Sequence, residues 1–281
     1  MSLRLCHPGK FGDLLWALPT ARALAEQAGK DEEYGGVELH LPSALRSIKP
    51  LLEKQGDYLA SVVLHDDWQV QDTAPATPLQ PPGYTMPSLG YKQWPVRELP
   101  YEVAWEHGMY ESGLSDAHFF RPWIHVLPLD YNLASDRQRL VVHWTDRWFE
   151  LKLGILRELQ RVLARDVYCQ WIAAPGSRMA EAGAVQVDWV ALARTLAGAD
   201  AVLTDCSSAH VLAAAVGVKT ILVVEPETDR HHFIFWPGST DTWQPRDTVL
   251  GRAIRPVLGN DGKPTFDSRH TIEEVTRALR R

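Results

Sequence analysis

A chain of 281 residues, 45% hydrophobic and 23% charged, has the composition of a soluble globular protein and room for two domains of about 140 residues. Its net charge of −6 argues against a general nucleic-acid binder. Cys6, Cys169 and Cys206 form no CxxC pair and leave an odd count, which argues against a disulfide framework or a zinc site and fits a reducing cytoplasm. No apolar run is long enough for a spanning helix, and no charged segment followed by an apolar stretch opens the chain, so neither a membrane span nor a secretory signal is expected. The eleven tryptophans serve either a large core or stacking on sugar rings or bases.

In chain order, a strand is expected over about residues 3–7 and a helix over about 13–28, with Leu14, Leu15, Leu18 and Leu24 on its apolar side. Between them lies Gly9-Lys10-Phe11-Gly12-Asp13. This stretch fits neither GxxxxGK[ST] nor GxGxxG. It offers a tight turn with an acid in the first helical turn, at the strand end where open α/β sheets bind ligands. Read alone, Asp13 is more readily a dipole partner, worth about 0.3–1 kcal/mol, than a catalytic carboxylate.

Gly35 to Pro42 reads as a second strand, the following stretch as a helix opened by Ser43, and Tyr58 to Asp67 as a third strand. Alternation of this kind implies a parallel sheet covered on both faces. From Asp66 to Pro100, seven prolines (Pro75, Pro78, Pro81, Pro82, Pro87, Pro95 and Pro100) disfavour long regular elements. Trp68, Tyr84, Tyr91, Trp94, Tyr101 and Trp105 run through this segment and beyond it, either shaping an acceptor pocket or pinning a loop to the core. A helix over about 102–113 and a short strand near 122–127 are expected to close the first domain, with a linker from Asp130 to Gln138.

Alternation then restarts. Arg139 to Trp144 reads as a strand, and Leu153, Leu156, Leu159 and Leu163 mark a helix. Asp166 to Ala174 is a strand, and Asp188 is the N-cap of a helix. A further strand leads into Thr204-Asp205-Cys206-Ser207-Ser208, followed by a small-residue helix that Gly217 ends. A strand from Lys219 and a terminal helix opened by Thr271 complete the pattern. Exposed amides at a helix N-terminus, with serine hydroxyls beside them, suit a phosphate. A capped helix with a core histidine, His210, explains the same residues equally well.

These two turns together resemble glycosyltransferase family 9, the lipopolysaccharide heptosyltransferase family. Gly12-Asp13-Leu14-Leu15-Trp16-Ala17-Leu18-Pro19, with Leu24 in step, is similar to its N-terminal motif and accounts for Pro19, since proline inside a helix costs about 3 kcal/mol. Asp200, Asp205, His210, Ala213, Ala214, Gly217, Lys219 and Thr220 match its C-terminal motif. Trp105 to Leu114 and His143 to Glu150 resemble two further segments. The family's glycine after the motif aspartate is absent from Asp205-Cys206-Ser207, and Asp146 stands where it has a lysine.

The resemblance implies a GT-B-like α/β fold: two Rossmann-like domains facing across a cleft, residues 1–133 on the acceptor side (with the 66–100 insertion) and 134–281 binding the nucleotide-sugar. It implies inverting, metal-independent transfer from a nucleotide-diphosphate sugar to a hydroxyl of a glycan or lipopolysaccharide-like acceptor, with no further cofactor. Asp13 is then the general base. Phe11 and Gly12 lie near the donor phosphates, and Ser207, Ser208 and Ala209 amides hold the diphosphate beside Asp205. His210 bonds phosphate or ribose, Lys10, Arg147, Lys152 or Arg230 meet its charge, and Glu225, Thr228 or Arg230 touch base or ribose. The adjacent His231-His232 pair does not have metal-site spacing. No stable nucleic-acid partner is expected; association with a membrane surface is compatible with the class. Three other readings stay open: a non-catalytic nucleotide-sugar-binding protein of the same fold, a glycosyltransferase acting on a modified DNA base, and a sugar-nucleotide epimerase.

Overall fold

The computed structural model describes residues 2–29, 35–70, 80–89, 122–129, 137–205, 207–223, 252–254, 257–258, 264–265 and 267–280. The chain forms two compact units, Met1–His125 and Val126–Arg281. Among the described residues, no helix is long and apolar enough to cross a membrane.

In the first unit, β1 (Leu3–Cys6), β2 (Val37–Pro42) and β3 (Leu59–His65) form a parallel sheet in that order. The backbone at Ser88 bridges Cys6 in parallel on the free side of β1: Cys6 N–H donates to Pro87 O at 3.0 Å and Leu89 N–H to Cys6 O at 2.7 Å. The proline-rich segment therefore supplies a minimal fourth position, giving a 3-2-1-4 order with the switch point beside β1. Alternation sorts the faces. Leu5, Leu39, Leu41 and Val62 are buried on one side, while Arg4, Glu38, His40, Ser61 and His65 share the other.

Helix α1 (Phe11–Ala28) follows β1 and runs unbroken through Pro19. Proline has no N–H, so the carbonyl four residues back, Leu15 O, loses its helical donor. Trp123 Nε1 donates to that carbonyl at 2.9 Å, and Arg22 Nη1 reaches Pro122 O at 2.9 Å. The Trp16 and Trp123 rings lie 5.8 Å apart. Residues 122–127 form no strand, contrary to the sequence expectation. Tyr58 Oη, donating to Trp123 O at 2.9 Å, and Gln55, bonded to the His125 backbone, hold them in place of a ladder.

The expected helix at Ser43 also differs. Ser43–Ile48 is a 3₁₀ segment and only Lys49–Leu52 (α2) is α-helical. Pro50 removes the amide that would have tied these turns together. The helix expected over 102–113 lies outside the described residues.

The second unit has a sheet ordered β6-β5-β4-β7-β8-β9, every neighbouring pair parallel. Its strands are β4 (Gln138–His143), β5 (Val167–Ala173), β6 (Val185–Gln186), β7 (Ala201–Asp205), β8 (Thr220–Val223) and β9 (Arg252–Ile254). This is the doubly wound 3-2-1-4-5-6 order, and its switch point lies between β4 and β7. The helices are α3 (Phe149–Leu163), α4 (Arg178–Glu181), α5 (Trp189–Ala197), α6 (Ser208–Ala215) and α7 (Ser268–Leu279). β10 (Val257–Leu258) and β11 (Pro264–Thr265) form a small antiparallel pair.

Asp188 caps α5 as expected, accepting from Ala191 N at 2.7 Å, and Gly217 ends α6 in the left-handed region at φ 79°. The terminal helix begins three residues before Thr271. Asp267 is its cap, and Thr271 Oγ1 donates to Asp267 O at 2.9 Å. Its buried Val275 and Leu279 pack beside Leu156 and Leu159 of α3.

Replacing Trp123 by Phe leaves Leu15 O without a donor inside a buried helix, an expected loss of about 1–3 kcal/mol in urea unfolding. Pro19→Ala restores a backbone N–H at that turn. In a double-mutant cycle the Trp123→Phe loss is therefore expected to shrink in the Pro19→Ala background; equal losses in both backgrounds would show that the indole does not serve this carbonyl.

Candidate active site

In the first unit the site residues gather at the β1–α1 turn. Lys10 is the N-cap, Phe11 and Gly12 are the first helical residues, and Asp13 lies in the first turn, half-buried. Asp13 Oδ2 accepts from Lys10 N at 3.3 Å, so the carboxylate is steered by the turn it follows. His7 fixes the approach. It is fully buried, its Nδ1 accepts the Gly9 N–H at 3.1 Å, and burial pushes its pKa down to about 3. The neutral ring therefore carries its proton on Nε2. A Cβ at Gly9 would stand 2.5 Å from His7 Cε1, 2.8 Å from Asp13 Cβ and 3.1 Å from Asp13 Oδ2. Gly9 is thus the space in which His7 and Asp13 approach one another. His7 is a site residue that sequence reasoning missed; its only signal was a polar residue closing an apolar strand.

In the second unit, Asp205 ends β7 with no exposed surface. Its Oδ2 accepts from Lys152 Nζ at 2.6 Å, Thr145 N at 2.7 Å and Thr145 Oγ1 at 2.6 Å. Among the described residues its Oδ1 has no hydrogen-bond partner. Burial raises the carboxyl's pKa, but the Lys152 ammonium and the Thr145 donors outweigh it and hold it below the ordinary value. His210 and His143 stand in the same field. Burial lowers the pKa of both, His210 to about 4, with Asp205 opposing in each case.

Lys152 was expected among the cations meeting a phosphate. The structure places its ammonium in a fully buried pair with Asp205, where its charge is neutralised inside the protein. Arg147 is exposed in the β4–α3 loop, beside Trp148, which adopts the left-handed region at φ 54°. Asp146, standing in place of the family's lysine, caps α4: its carboxylate accepts from Arg178 N at 3.0 Å and Met179 N at 3.1 Å.

Ser207 is the N-cap of α6 in extended backbone, and its Oγ donates to Asp205 O at 3.4 Å, leaving the helix uncapped by its side chain. The first intrahelical bonds are made by His210 and Val211, both to Ser207 O. The amides of Ser208 and Ala209 therefore lack acceptors within the helix and suit an anion. Asp205, Ser207, Ser208, Ala209, His210 and Lys152 are brought together at one switch point, and Phe11, Gly12 and Asp13 at the other. Glu225, Thr228, Arg230 and His231-His232 lie outside the described residues. Among the described residues, no group of three His, Cys, Asp or Glu side chains is arranged to hold a metal.

No family model matches the chain, and no curated protein matches it by sequence. Solved structures do match its fold. A glycosyl transferase family 9 protein from Veillonella parvula superposes with a TM-score of 0.61 at 8% identity, covering 99% of this chain and 97% of that one. E. coli heptosyltransferase WaaC, solved with ADP-2-deoxy-2-fluoro heptose, gives 0.61 at 15% identity over 99% of both chains. E. coli ADP-heptose lps heptosyltransferase II gives 0.58 at 13% identity over 99% and 98%. A putative UDP-N-acetylglucosamine 2-epimerase from Listeria monocytogenes gives 0.52 at 10% identity over 99% and 88%. The expected GT-B-like α/β class is the fold these structures share with the chain.

Lys152→Met strands a buried carboxylate, and a loss of about 3–5 kcal/mol in urea unfolding is expected. Adding Asp205→Asn removes the stranded charge and is expected to recover much of that loss. The acid limb has a definite sign. The unfolded chain protonates histidine near 6.5, whereas folded His210 does so only near 4 and His7 near 3. Their stabilisation is complete above pH 6.5 and drains as pH falls toward 4. The urea midpoint is expected to drop over that window, less steeply in His210→Gln; parallel profiles would show that His210 is not held neutral by the fold.

Proposed function

We propose that the chain is an inverting, metal-independent glycosyltransferase, similar to the family 9 heptosyltransferases, that moves a sugar from a nucleotide-diphosphate donor to a hydroxyl of a glycan acceptor. The observation that carries this reading is the pair of strand-to-helix turns at the two sheets' switch points: one presents a positioned carboxylate, Asp13, and the other the open amides of Ser208 and Ala209. The full-length match to glycosyltransferase structures, among them one holding an ADP-heptose analogue, supports it.

In this mechanism Asp13 takes the proton of the acceptor hydroxyl as its oxygen bonds to the anomeric carbon. The bond from that carbon to the diphosphate oxygen breaks on the opposite face, so the configuration inverts. Negative charge developing on the leaving diphosphate is met by the Ser207, Ser208 and Ala209 amides and the α6 dipole, with Arg147 as a cation. Neutral His210 bonds phosphate or ribose, and Glu225 and Arg230 contact base or ribose. Lys152 and Asp205 set the shape of the α6 turn. The donor's sugar and base follow from no residue described above.

A second reading, a nucleotide-sugar-binding protein without turnover, draws on Asp146: the position where the family keeps a lysine is committed here to capping α4.

A thermal-shift panel of nucleotide-diphosphate sugars tests both. At least one is expected to raise Tm, with about 2.7 kcal/mol of stabilisation at one hundred times Kd. Asp13→Asn, which retains an acceptor for Lys10 N, is expected to keep that shift and lower kcat by about 10²–10⁴. Unchanged turnover in that variant would remove Asp13 as base, and donor binding with no turnover on any acceptor would establish the second reading.

A further inference from the structure

On the polar face of the first unit's sheet, Glu38, His40 and His65 form a hydrogen-bonded chain that the mechanism above does not use. His40 Nε2 lies 3.0 Å from Glu38 Oε1, and His40 Nδ1 lies 2.8 Å from His65 Nε2. Both imidazoles are buried, and their rings stack at 5.0 Å. Glu38 is held below the ordinary carboxylate value: the hydrogen bond to His40, foremost, lowers its pKa, and the charges of His40 and Arg4 and the Ser61 hydroxyl add to it against the opposing effect of burial. For a neutral His40 the polarity of the chain follows. A carboxylate needs a donor, so His40 carries its proton on Nε2. Its Nδ1 is then an acceptor and takes the proton of His65 Nε2. His65 Nδ1 is left as a bare acceptor, and no described residue donates to it.

Tyr84 packs against both imidazoles. Its ring centroid stands 5.0 Å from that of His65, edge to face, and 5.5 Å from that of His40, and it is 42% exposed. Trp68 lies 6.2 Å from His65 on its edge. The charges around the group are the solvent-accessible Glu38 and Arg4 at its far end, Asp67 beside His65, and the exposed Arg46–Asp66 pair at 3.2 Å. Apart from that pair, the carboxylates Glu38 and Asp67 disfavour an anion. No third ligand is set for a metal among the described residues. What remains is a neutral hydroxyl donor with an apolar face for the tyrosine ring.

We propose that His65 Nδ1 and the exposed face of Tyr84 form a subsite for a neutral hydroxylated sugar ring, one hydroxyl donating to His65 and the ring's C–H face resting on Tyr84. This rests on the transferase reading and names a place where the acceptor is held. Glu38 and His40 are positioning residues that, through the hydrogen-bonded chain, keep Nδ1 of His65 an acceptor.

The test uses the full chain with ¹⁵N-labelled histidine and two-bond ¹H–¹⁵N correlation at neutral pH, assigned by comparison with His65→Phe. Without ligand, Nδ1 of both His40 and His65 is expected to be unprotonated. The probes are methyl β-D-glucopyranoside, methyl β-D-galactopyranoside and methyl α-D-mannopyranoside. At least one is expected to shift His65 Nδ1 saturably while leaving His210 unmoved, and Tyr84→Leu to weaken that binding about three- to tenfold. A proton on His65 Nδ1, or no saturable shift with any of the three, overturns the proposal. The nucleotide-sugar thermal shift is read in parallel. If it persists while the glycosides fail, the subsite alone falls; if it is absent while they bind, the transferase reading falls and the sugar site stands.

Discussion

A lysine ammonium and an aspartate carboxylate, both without exposed surface and 2.6 Å apart, set the geometry of the second unit's β7–α6 turn. Such a pair is a poor source of net stability, because desolvating both ions costs about as much as their attraction returns. Its effect is positional. Asp205 draws on α3 through Lys152 and on the β4–α3 loop through Thr145, while its own backbone begins the β7–α6 turn. One carboxylate oxygen thus ties three segments at the switch point, and the α6 amides inherit their direction from it. Three donors converge on Oδ2, and the two neutral histidines nearby avoid adding charge to a buried region of low dielectric.

The first unit reaches a comparable result with less charge. There, the absence of a side chain at Gly9 admits His7 and Asp13 from two sides, and hydrogen bonds to the Gly9 and Lys10 amides orient them. Asp13 is left half-buried, whereas Asp205 is fully buried and its Oδ2 accepts three hydrogen bonds. The two aspartates that the motifs single out therefore have opposite characters, and the difference comes from burial.

Much of this was legible in the sequence. Strand-helix alternation gave the parallel sheets, Asp188 and Gly217 marked helix ends through their own local chemistry, and the two turns announced themselves as polar residues between apolar strands and helices. What stayed hidden depended on partners distant in the chain. Lys152 read as a free cation because nothing local shows that Asp205, 53 residues on, neutralises it. Residues 122–127 read as a strand because they are apolar, yet Tyr58 and Gln55 anchor them without a ladder. His40 and His65 are 25 residues apart in sequence, and only the parallel register of β2 and β3 puts them on one face. The split of the Ser43 helix, in contrast, was readable from Pro50 alone.

The repair of α1 carries a consequence for the order of events during synthesis. Leu15 O finds its donor in Trp123, 108 residues later. As the chain emerges from the N-terminus, α1 has an open carbonyl at its proline until that indole is made and can dock. The helix that carries Asp13 is thus among the first segments made but acquires its last hydrogen bond only after nearly the whole first unit has emerged. Closing so long a loop is slow compared with forming local turns. Completion of the helix that carries Asp13 is therefore tied to completion of the unit, and a nascent chain cut short of residue 123 carries the motif on a helix with an open carbonyl at its proline.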